Sequence, residues 1–196
     1  PDAPKWARDM IADRSVAGAA EAFWNTVEAF EKRCDAQLAK EFIIALPVEL
    51  SRDQNIALVR QFVSEQVLSR GQVADWVFHD DDFLSGANTF GSDPDQSRIG
   101  ARNPHIHLMT TLRPLTEDGF GSKKVAVIGP DGQPVRMKTG KIQYKLWSGE
   151  KSEFLEQRQR WLDLQNHHLA LAGLEIRVDG RSYTERGIDI VPTTHI

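Results

Sequence analysis

The sequence lacks several features that would place it in well-defined classes of protein. Its single cysteine, Cys34, excludes an internal disulfide and is typical of a reducing compartment. No apolar run approaches the roughly 20 residues that a membrane-spanning helix needs. No signal-peptide pattern opens the chain either. We therefore expect a cytoplasmic protein without membrane insertion.

The remaining composition is that of an ordinary folded domain. The chain has 196 residues, of which 40% are hydrophobic and 27% charged, enough to bury a sizeable core. We expect one domain over residues 1–196. Because the chain begins at Pro1 rather than at a methionine, we also expect that its native N-terminal segment is missing.

Basic residues are concentrated in one part of the chain. Between residues 98 and 145, nine lysines and arginines stand against three acidic residues, a net charge of +6, and the remainder carries −10. Such a basic patch on an acidic body can hold a phosphate backbone. A solvated, lysine-rich loop is the other interpretation, and charge by itself does not decide between them.

Apolar spacing and capping residues predict four helices. Apolar residues recur at intervals of three and four over residues 19–39, and Cys34 belongs to that stripe. Ser51 and Gln54 form a capping-box pattern for a helix that stops at Gly71. The two other predicted helices are a short one through Ala7, and one from Ser152 to Ala172 with Gly173 as its stop signal.

Shorter apolar runs between these helices predict strands. The predicted strands span residues 41–46, 72–79, 104–112 and 174–178, and a hairpin with one arm at 123–128 lies within 119–140. Residues 80–102 form a long polar segment, a length typical of functional or disordered loops. Strands interrupted by helices in this order indicate an α+β fold, with an antiparallel sheet flanked by helices.

The most informative tripeptide is His105-Ile106-His107 on a predicted strand. Residues two apart on a strand point to the same face, so both imidazoles project side by side, as chelation of one metal ion requires. His79 ends the preceding strand and is the expected third ligand. Asp81 follows His79 closely and is a candidate to orient a ligating imidazole through its carboxylate.

Each of these assignments has a plainer alternative. A histidine pair on an amphipathic strand can be surface decoration, and the aspartates after His79 can belong to a solvated loop. His167 and His168 are adjacent in a helix and face different directions, so we expect one surface residue and one satisfied core residue. Structural zinc takes four protein ligands, often cysteines, and Cys34 has no partner cysteine.

The histidine motif and its surroundings resemble a known family, the MobA/MobL-type conjugative relaxases, which include the relaxase domain of Ti-plasmid-like TraA proteins. The resemblance spans nearly the whole chain. It is carried by His79-Asp80-Asp81, residues 103–113 with Asn103-Pro104-His105-Ile106-His107, the segments 23–28, 31–33, 37–41 and 45–47, and the closing residues 179–183, 187–189, Pro192 and His195.

Membership in this family implies an HUH-type endonuclease fold, a sandwich whose antiparallel sheet carries the histidines. It implies an enzyme that nicks one DNA strand at a plasmid's origin of transfer to start conjugation. The ligands would be His79, His105 and His107, and the ion Mg²⁺ or Mn²⁺. The implied partners are single-stranded or hairpin DNA of the origin, accessory relaxosome proteins and a type IV coupling protein in a bacterial cytoplasm.

The resemblance places the nucleophilic tyrosine before the first helix, in a segment absent from this sequence. Only Tyr144 and Tyr183 are present, and we expect neither to be the nucleophile. Four basic residues are candidate DNA contacts, namely Arg113, Lys123, Lys124 and Arg181. Structural pairing of Arg113 with Glu117, or of Arg181 with Asp179, is the competing interpretation.

Two other functions remain compatible with the sequence. A related replication initiator or transposase would use the same metal chemistry on a different DNA partner. A DNA-binding module of the same fold would lack nuclease activity because it lacks a nucleophile. The reading frame upstream of this chain would distinguish the module from an enzyme, since only an enzyme needs the tyrosine.

Overall fold

The computed structural model describes residues 3–80 and 103–190, which form four α-helices, one short 3-10 helix (Leu68–Arg70) and seven strands. The helices are α1 (Lys5–Ile11), α2 (Val16–Phe30), α3 (Arg52–Gln66) and α4 (Lys151–Leu171). The strands are β1 (Ala39–Ala45), β2 (Ala74–His79), β3 (His105–Thr111), β4 (Leu115–Thr116), β5 (Gly119–Phe120), β6 (Lys124–Ala126) and β7 (Tyr144–Leu146). The predicted α+β class, with an antiparallel sheet flanked by helices, is confirmed.

The main sheet has three strands in the order β1-β3-β2, and β3 runs antiparallel to both neighbours. Because side chains alternate along a strand, β3 has two different faces. Ile106 and Leu108 are almost completely buried on one face, whereas His105 and His107 are half-buried on the other. The sheet therefore separates a hydrophobic core from a face that carries the histidines.

Helices α3 and α4 cover the apolar face of the sheet. Leu58 and Val59 of α3 are fully buried, and Trp161 of α4 packs edge-to-face on Phe62 with ring centres 5.0 Å apart. Trp76 of β2 packs against the same cluster. Each fully buried side chain of this size contributes about 1.5–3 kcal/mol, so this layer is the main source of the sheet's stability.

Helices α1 and α2 lie at the far end of the histidine face. The indole of Trp24 in α2 donates to Asp75 of β2 at 2.9 Å, and Asp75 is opposite Met109 in the register that places Val77 opposite His107. The indole of Trp6 in α1 donates to the carbonyl of Thr116 at 2.8 Å. These bonds fix the two helices beside the strands without covering the histidines.

Local capping patterns predicted helix ends well. The Ser51–Gln54 capping box is present at the start of α3, and Gly173 adopts a positive φ of 73° after α4. Helix α3 ends at Gln66, and Gly71, with φ of 77°, ends the short 3-10 helix Leu68–Arg70 that follows it. The start of α4 was predicted two residues late. Glu150 is its N-cap and forms a capping box with Glu153, and Ser152 lies inside the first turn.

Two predictions from periodicity were wrong. The second helix ends at Phe30 rather than near residue 39, because Glu31 leaves the helix with extended backbone and pairs with cations elsewhere. Cys34 is consequently exposed rather than part of a buried stripe. Residues 174–178 form no strand, since Asn166 of α4 exchanges hydrogen bonds with the backbone of Val178 at 2.9 and 2.7 Å.

Within the described ranges, no helix is both long and apolar enough to cross a bilayer.

Candidate metal centre

The structure brings the three histidines together at one end of the main sheet. His79 of β2 lies directly opposite His105 of β3, and His107 follows two residues later on the same face. The ring centres are 5.1 Å apart for His79 and His105, 5.1 Å for His79 and His107, and 5.4 Å for His105 and His107. The three imidazoles therefore form a nearly equilateral triangle.

Hydrogen bonds define which ring nitrogen of two histidines is available. The Nδ1 atom of His105 lies 2.8 Å from the carbonyl oxygen of Asn103, and Nδ1 of His107 lies 2.8 Å from Oε1 of Glu41. A carbonyl and a carboxylate both accept, so each Nδ1 must carry the proton and donate. In the neutral rings, Nε2 is then the free lone pair, the form that binds a metal.

The histidine face is open to solvent on both sides of β3. His107 lies between Ile43 of β1 and Val77 of β2, whose exposed fractions are 68% and 55%. Large apolar side chains this exposed on a sheet face are suited to contact with a bound molecule. Ile43 and Val77 therefore form an apolar border for the imidazole triangle.

Three imidazoles with ring centres 5.1–5.4 Å apart are compatible with one ion, although their nitrogens do not point at a common position. Imidazoles whose nitrogens lie about 2.1 Å from a shared ion have ring centres about 5 Å apart. Among residues 3–80 and 103–190, however, no three His, Cys, Asp or Glu side chains have ligand atoms already arranged for an ion. Strand register fixes the backbone positions of the three histidines, and a bound ion would have to draw their ring nitrogens together.

The sequence did not identify the group that orients His107. Asp81, the candidate for an orienting carboxylate, lies outside the described residues. The carboxylate that contacts His107 is instead that of Glu41 in β1, 66 residues earlier in the sequence. Its only local signal was an acidic residue at the start of an otherwise apolar strand.

Arg113 and Lys123, two candidate DNA contacts, are engaged in a structural ion cluster. Arg113 donates to both carboxylate oxygens of Glu31 at 2.8 and 3.2 Å and to the carbonyl of Gly121 at 2.8 Å. Lys123 lies 2.9 Å from the same carboxylate. The hydrogen bond from Arg113 is the main reason that the pKa of Glu31 falls from its ordinary 4.5 to about 2.

The two other candidate DNA contacts differ from each other. Arg181 pairs with Asp179 at 2.7 Å in a solvent-exposed fork, as the competing interpretation proposed. This pairing lowers the pKa of Asp179 to about 2. Lys124 is exposed, and its ammonium group has no partner among the described residues. Of the four candidates, Lys124 is the one whose charge is directly available.

The remaining histidines lie apart from the triangle or outside the described ranges. On α4, His167 is exposed, and the half-buried His168 shares a hydrogen bond with Oε1 of Gln61 at 2.9 Å, as expected. Burial lowers the pKa of His168, which fits a neutral, structural role. His195 and Pro192 lie outside the described residues.

Comparison with known proteins shows which family the chain is similar to. The MobA/MobL family pattern matches residues 1–196. The chain is 57% identical over 195 residues to the conjugal transfer protein TraA of Rhizobium radiobacter, covering 100% of the chain but 16% of that protein. It is 30% identical to the mobilization protein MobL of Acidithiobacillus ferridurans, covering 89% of the chain and 45% of that protein.

A solved structure agrees with both the sequence match and the fold. It is described as "Molecular Basis of Vancomycin Resistance Transfer in Staphylococcus aureus" and superimposes with a TM-score of 0.59 at 30% sequence identity. The superposition covers 83% of this chain and 67% of the solved one. Sequence pattern, relatives and architecture lead to the same assignment: the chain belongs to the MobA/MobL family.

Proposed function

We propose that this chain is a metal-dependent, strand-specific DNA nicking domain that acts at a plasmid's origin of transfer to start conjugation. The observation that carries the proposal is the imidazole triangle on an open sheet face, with Nε2 of His105 and His107 left free by their orienting bonds. A role in plasmid transfer follows from the conjugal transfer and mobilization proteins to which the chain is similar. The chain spans 16% of the TraA relatives, so the activity of a whole protein is part of this proposal.

His79, His105 and His107 would hold the ion. Three imidazoles leave coordination positions open, and an ion there supplies charge stabilisation to a phosphodiester oxygen. Imidazole nitrogen suits first-row transition ions, whereas Mg²⁺ prefers oxygen ligands. Of the two expected ions, Mn²⁺ therefore fits this donor set better and is the ion for the tests below.

The chain's own residues would orient and border the reacting phosphate. Glu41 and the Asn103 carbonyl hold the rings of His107 and His105 with Nε2 outward. Ile43 and Val77 offer exposed apolar contacts beside them. A strand lying across this face would thus place a phosphate at the triangle and its sugars or bases on the apolar border.

The proposed reaction requires a tyrosine nucleophile other than Tyr144 and Tyr183. Its hydroxyl oxygen forms the new bond to phosphorus, the bond from phosphorus to the 3′ oxygen breaks, and the phenolic proton ends on that 3′ oxygen. The 5′ phosphate stays joined to tyrosine, as in other covalent catalysis. Tyr144 lies on β7 and Tyr183 in a turn over residues 183–187, and neither is on the three-stranded sheet.

The direct test joins the chain to whatever precedes it in its reading frame and supplies Mn²⁺ and single-stranded origin DNA. We expect an SDS-resistant protein–DNA adduct and a free 3′ hydroxyl end. The same protein carrying His105→Ala and His107→Ala should give neither product. A metal-loaded, full-length protein that binds its origin without forming an adduct would instead be a DNA-binding module without nuclease activity.

A second prediction concerns Glu41. Loss of an orienting partner typically costs a metal site about 10–100-fold in affinity, so Glu41→Ala is expected to weaken Mn²⁺ binding by that factor. The Mn²⁺ affinity of Glu41→Gln should lie between those of the parent and Glu41→Ala, because the glutamine amide oxygen still accepts from Nδ1 of His107 but carries no charge. Calorimetric titration of each metal-free variant measures the effect.

The matched control is Glu49→Ala, which also removes one negative charge. Glu49 is exposed and has no hydrogen bond or ion pair within the described part of the chain. Its replacement should leave Mn²⁺ affinity unchanged. If Glu49→Ala and Glu41→Ala weaken binding equally, the effect is long-range charge, and Glu41 has no orienting role.

A further inference from the structure

The histidine face consists of rows that run across the main sheet, because residues directly opposite one another in an antiparallel pair point to the same face. The first row contains His79 and His105. In the second, which we name the apolar row, His107 of β3 lies between Ile43 of β1 and Val77 of β2. One imidazole of the triangle is therefore the middle member of the apolar row.

The next row along the strands is acidic. Met109 of β3 lies there between Glu41 of β1 and Asp75 of β2, and we name these three residues the acidic row. The side chain of Glu41 is 56% exposed. Asp75 accepts a hydrogen bond from the indole of Trp24, which brings α2 to this part of the face. Two carboxylates and a helix therefore oppose the passage of a polyanion along β3 beyond the apolar row.

These rows set the direction in which a nucleic-acid strand can cross the face. A strand that ran along β3 would bring its phosphates to the carboxylates of the acidic row. A strand that runs from β1 to β2 stays on the triangle and the apolar row instead. Ile43 and Val77 are two strand spacings apart, about 10 Å, with His107 between them. They therefore lie on opposite sides of any group that the triangle binds.

The side chains of Ile43 and Val77 are suited to a sugar rather than to a base or a phosphate. Both are aliphatic and exposed, whereas proteins that hold single-stranded bases stack them on aromatic rings. Neither side chain can donate a hydrogen bond to a phosphate oxygen. Branching at Cβ restricts both side chains to few rotamers, so little conformational freedom is lost on contact. An aliphatic surface of this kind is complementary to the carbon atoms of a deoxyribose ring.

We propose that Ile43 and Val77 contact the two sugars on either side of the phosphate at the triangle and thereby select DNA over RNA. This inference rests on the proposed function and deepens it, because it names the residues that determine which kind of nucleic acid that site accepts. The two sugars of a phosphodiester lie on opposite sides of its phosphorus, just as the two side chains lie on opposite sides of His107.

The selectivity follows from the chemistry of the contact. Ribose differs from deoxyribose by its 2′-hydroxyl. A hydroxyl that packs against an aliphatic side chain loses hydrogen bonds to water without gaining a partner, which costs free energy. Deoxyribose has only hydrogens at the same carbon and loses nothing there.

The test compares oligodeoxyuridine with oligouridine of about 12 nucleotides, because these two probes differ only in the 2′-hydroxyl. Fluorescence anisotropy with the full 196-residue chain in the presence of Mn²⁺ measures both dissociation constants. An aliphatic site rejects an added hydroxyl by about 100-fold at most. Because Ile43 and Val77 contact the strand from one side only, we expect the parent to bind oligodeoxyuridine about 10-fold more tightly than oligouridine.

The variant combines Ile43→Thr and Val77→Thr, which keep the branched Cβ that suits a strand and add a hydroxyl that can pair with a 2′-hydroxyl. Its preference for oligodeoxyuridine should fall from about 10-fold to about 2-fold or less. The ratio of the two affinities cancels any loss common to both probes, so a merely structural role would not change it. A variant that kept the ratio of the parent would overturn the proposal.

The control variant combines Ile11→Thr and Val16→Thr, one isoleucine and one valine of α1 and α2 with exposed fractions of 42% and 88%. It replaces the same two residue types outside the histidine face and should keep the preference of about 10-fold. An equal fall of the preference in both variants would overturn the proposal, since the position of the side chains would then be irrelevant.

Mn²⁺ titration of the unmodified chain separates this inference from the proposed function. Mn²⁺ binding, together with an unchanged sugar preference in the Ile43, Val77 variant, would leave the proposed function standing and remove this inference. Absence of Mn²⁺ binding would remove the metal centre on which both depend. If the metal-loaded parent bound both probes equally, or bound neither, the assignment of Ile43 and Val77 to sugar contacts would be wrong.

Discussion

Replacing His105 and His107 together by alanine is expected to abolish stoichiometric Mn²⁺ binding by this chain. The two rings supply two of the three nitrogens in the triangle and the only two whose Nδ1 atoms have a described orienting acceptor. A lone imidazole at His79 holds an ion far more weakly than three. The loss should therefore exceed the ~10–100-fold change expected for an orienting residue.

The measurement is calorimetric titration of metal-free protein, with one ion per chain in the parent and no measurable heat of binding in the variant. The matched control is His167→Ala with His168→Ala, which removes the same number of imidazoles from α4. This control keeps the triangle and should bind Mn²⁺ like the parent. Unchanged binding by the His105, His107 variant would show that the motif is not a metal centre.

Strand alternation was enough to predict that His105 and His107 share a face, but not what surrounds them. The third imidazole depends on the register of β2 against β3, which sets His79 opposite His105. Glu41 depends on the register of β1 against β3 in the same way. Register is a property of strand pairing rather than of any one segment, so neither contact has a local signal that fixes it.

The same distinction explains the fold predictions. The start of α3 and the end of α4 were predicted from a capping box and a positive-φ glycine, because a cap depends on neighbours within about four residues. The second helix was predicted too long for a non-local reason, since the partner of Glu31 is Arg113, 82 residues later. Whether a cation such as Arg113 is paired or free for DNA is equally invisible in sequence.

Glu31 leads to the second large prediction, which concerns stability rather than DNA. Its side chain is 8% exposed just after α2, and it accepts from Arg113 after β3 and from Lys123 before β6. One carboxylate therefore links three parts of the fold. Removing one partner of a largely buried ion pair leaves the other charge unsatisfied, which is strongly destabilising.

Glu31→Gln is expected to lower the free energy of unfolding at neutral pH by about 2 kcal/mol, an estimate reduced from the full pKa difference because both cations are partly exposed. The pKa of Glu31 is depressed from 4.5 to about 2 by the bond from Arg113. A depressed carboxyl pKa stabilises the folded state above the unfolded value, and that stability is lost as pH falls through the folded value. The parent should thus lose this contribution between pH 4.5 and 2.

Urea unfolding of parent and variant, at neutral pH and at several values down to about pH 3, measures the difference in their free energies of unfolding and its pH dependence. The control is Glu65→Gln, which breaks the exposed ion pair of Glu65 with Arg160 at 2.7 Å and should cost about 0.5 kcal/mol. If Glu31→Gln lowered the unfolding free energy no more than Glu65→Gln does, or by a constant amount from neutral pH to about pH 3, the ion pairs of Glu31 would contribute no more than a surface pair. A difference in unfolding free energy that narrows only below pH 4.5 would instead identify Glu31 as the charge that joins α2, β3 and β6.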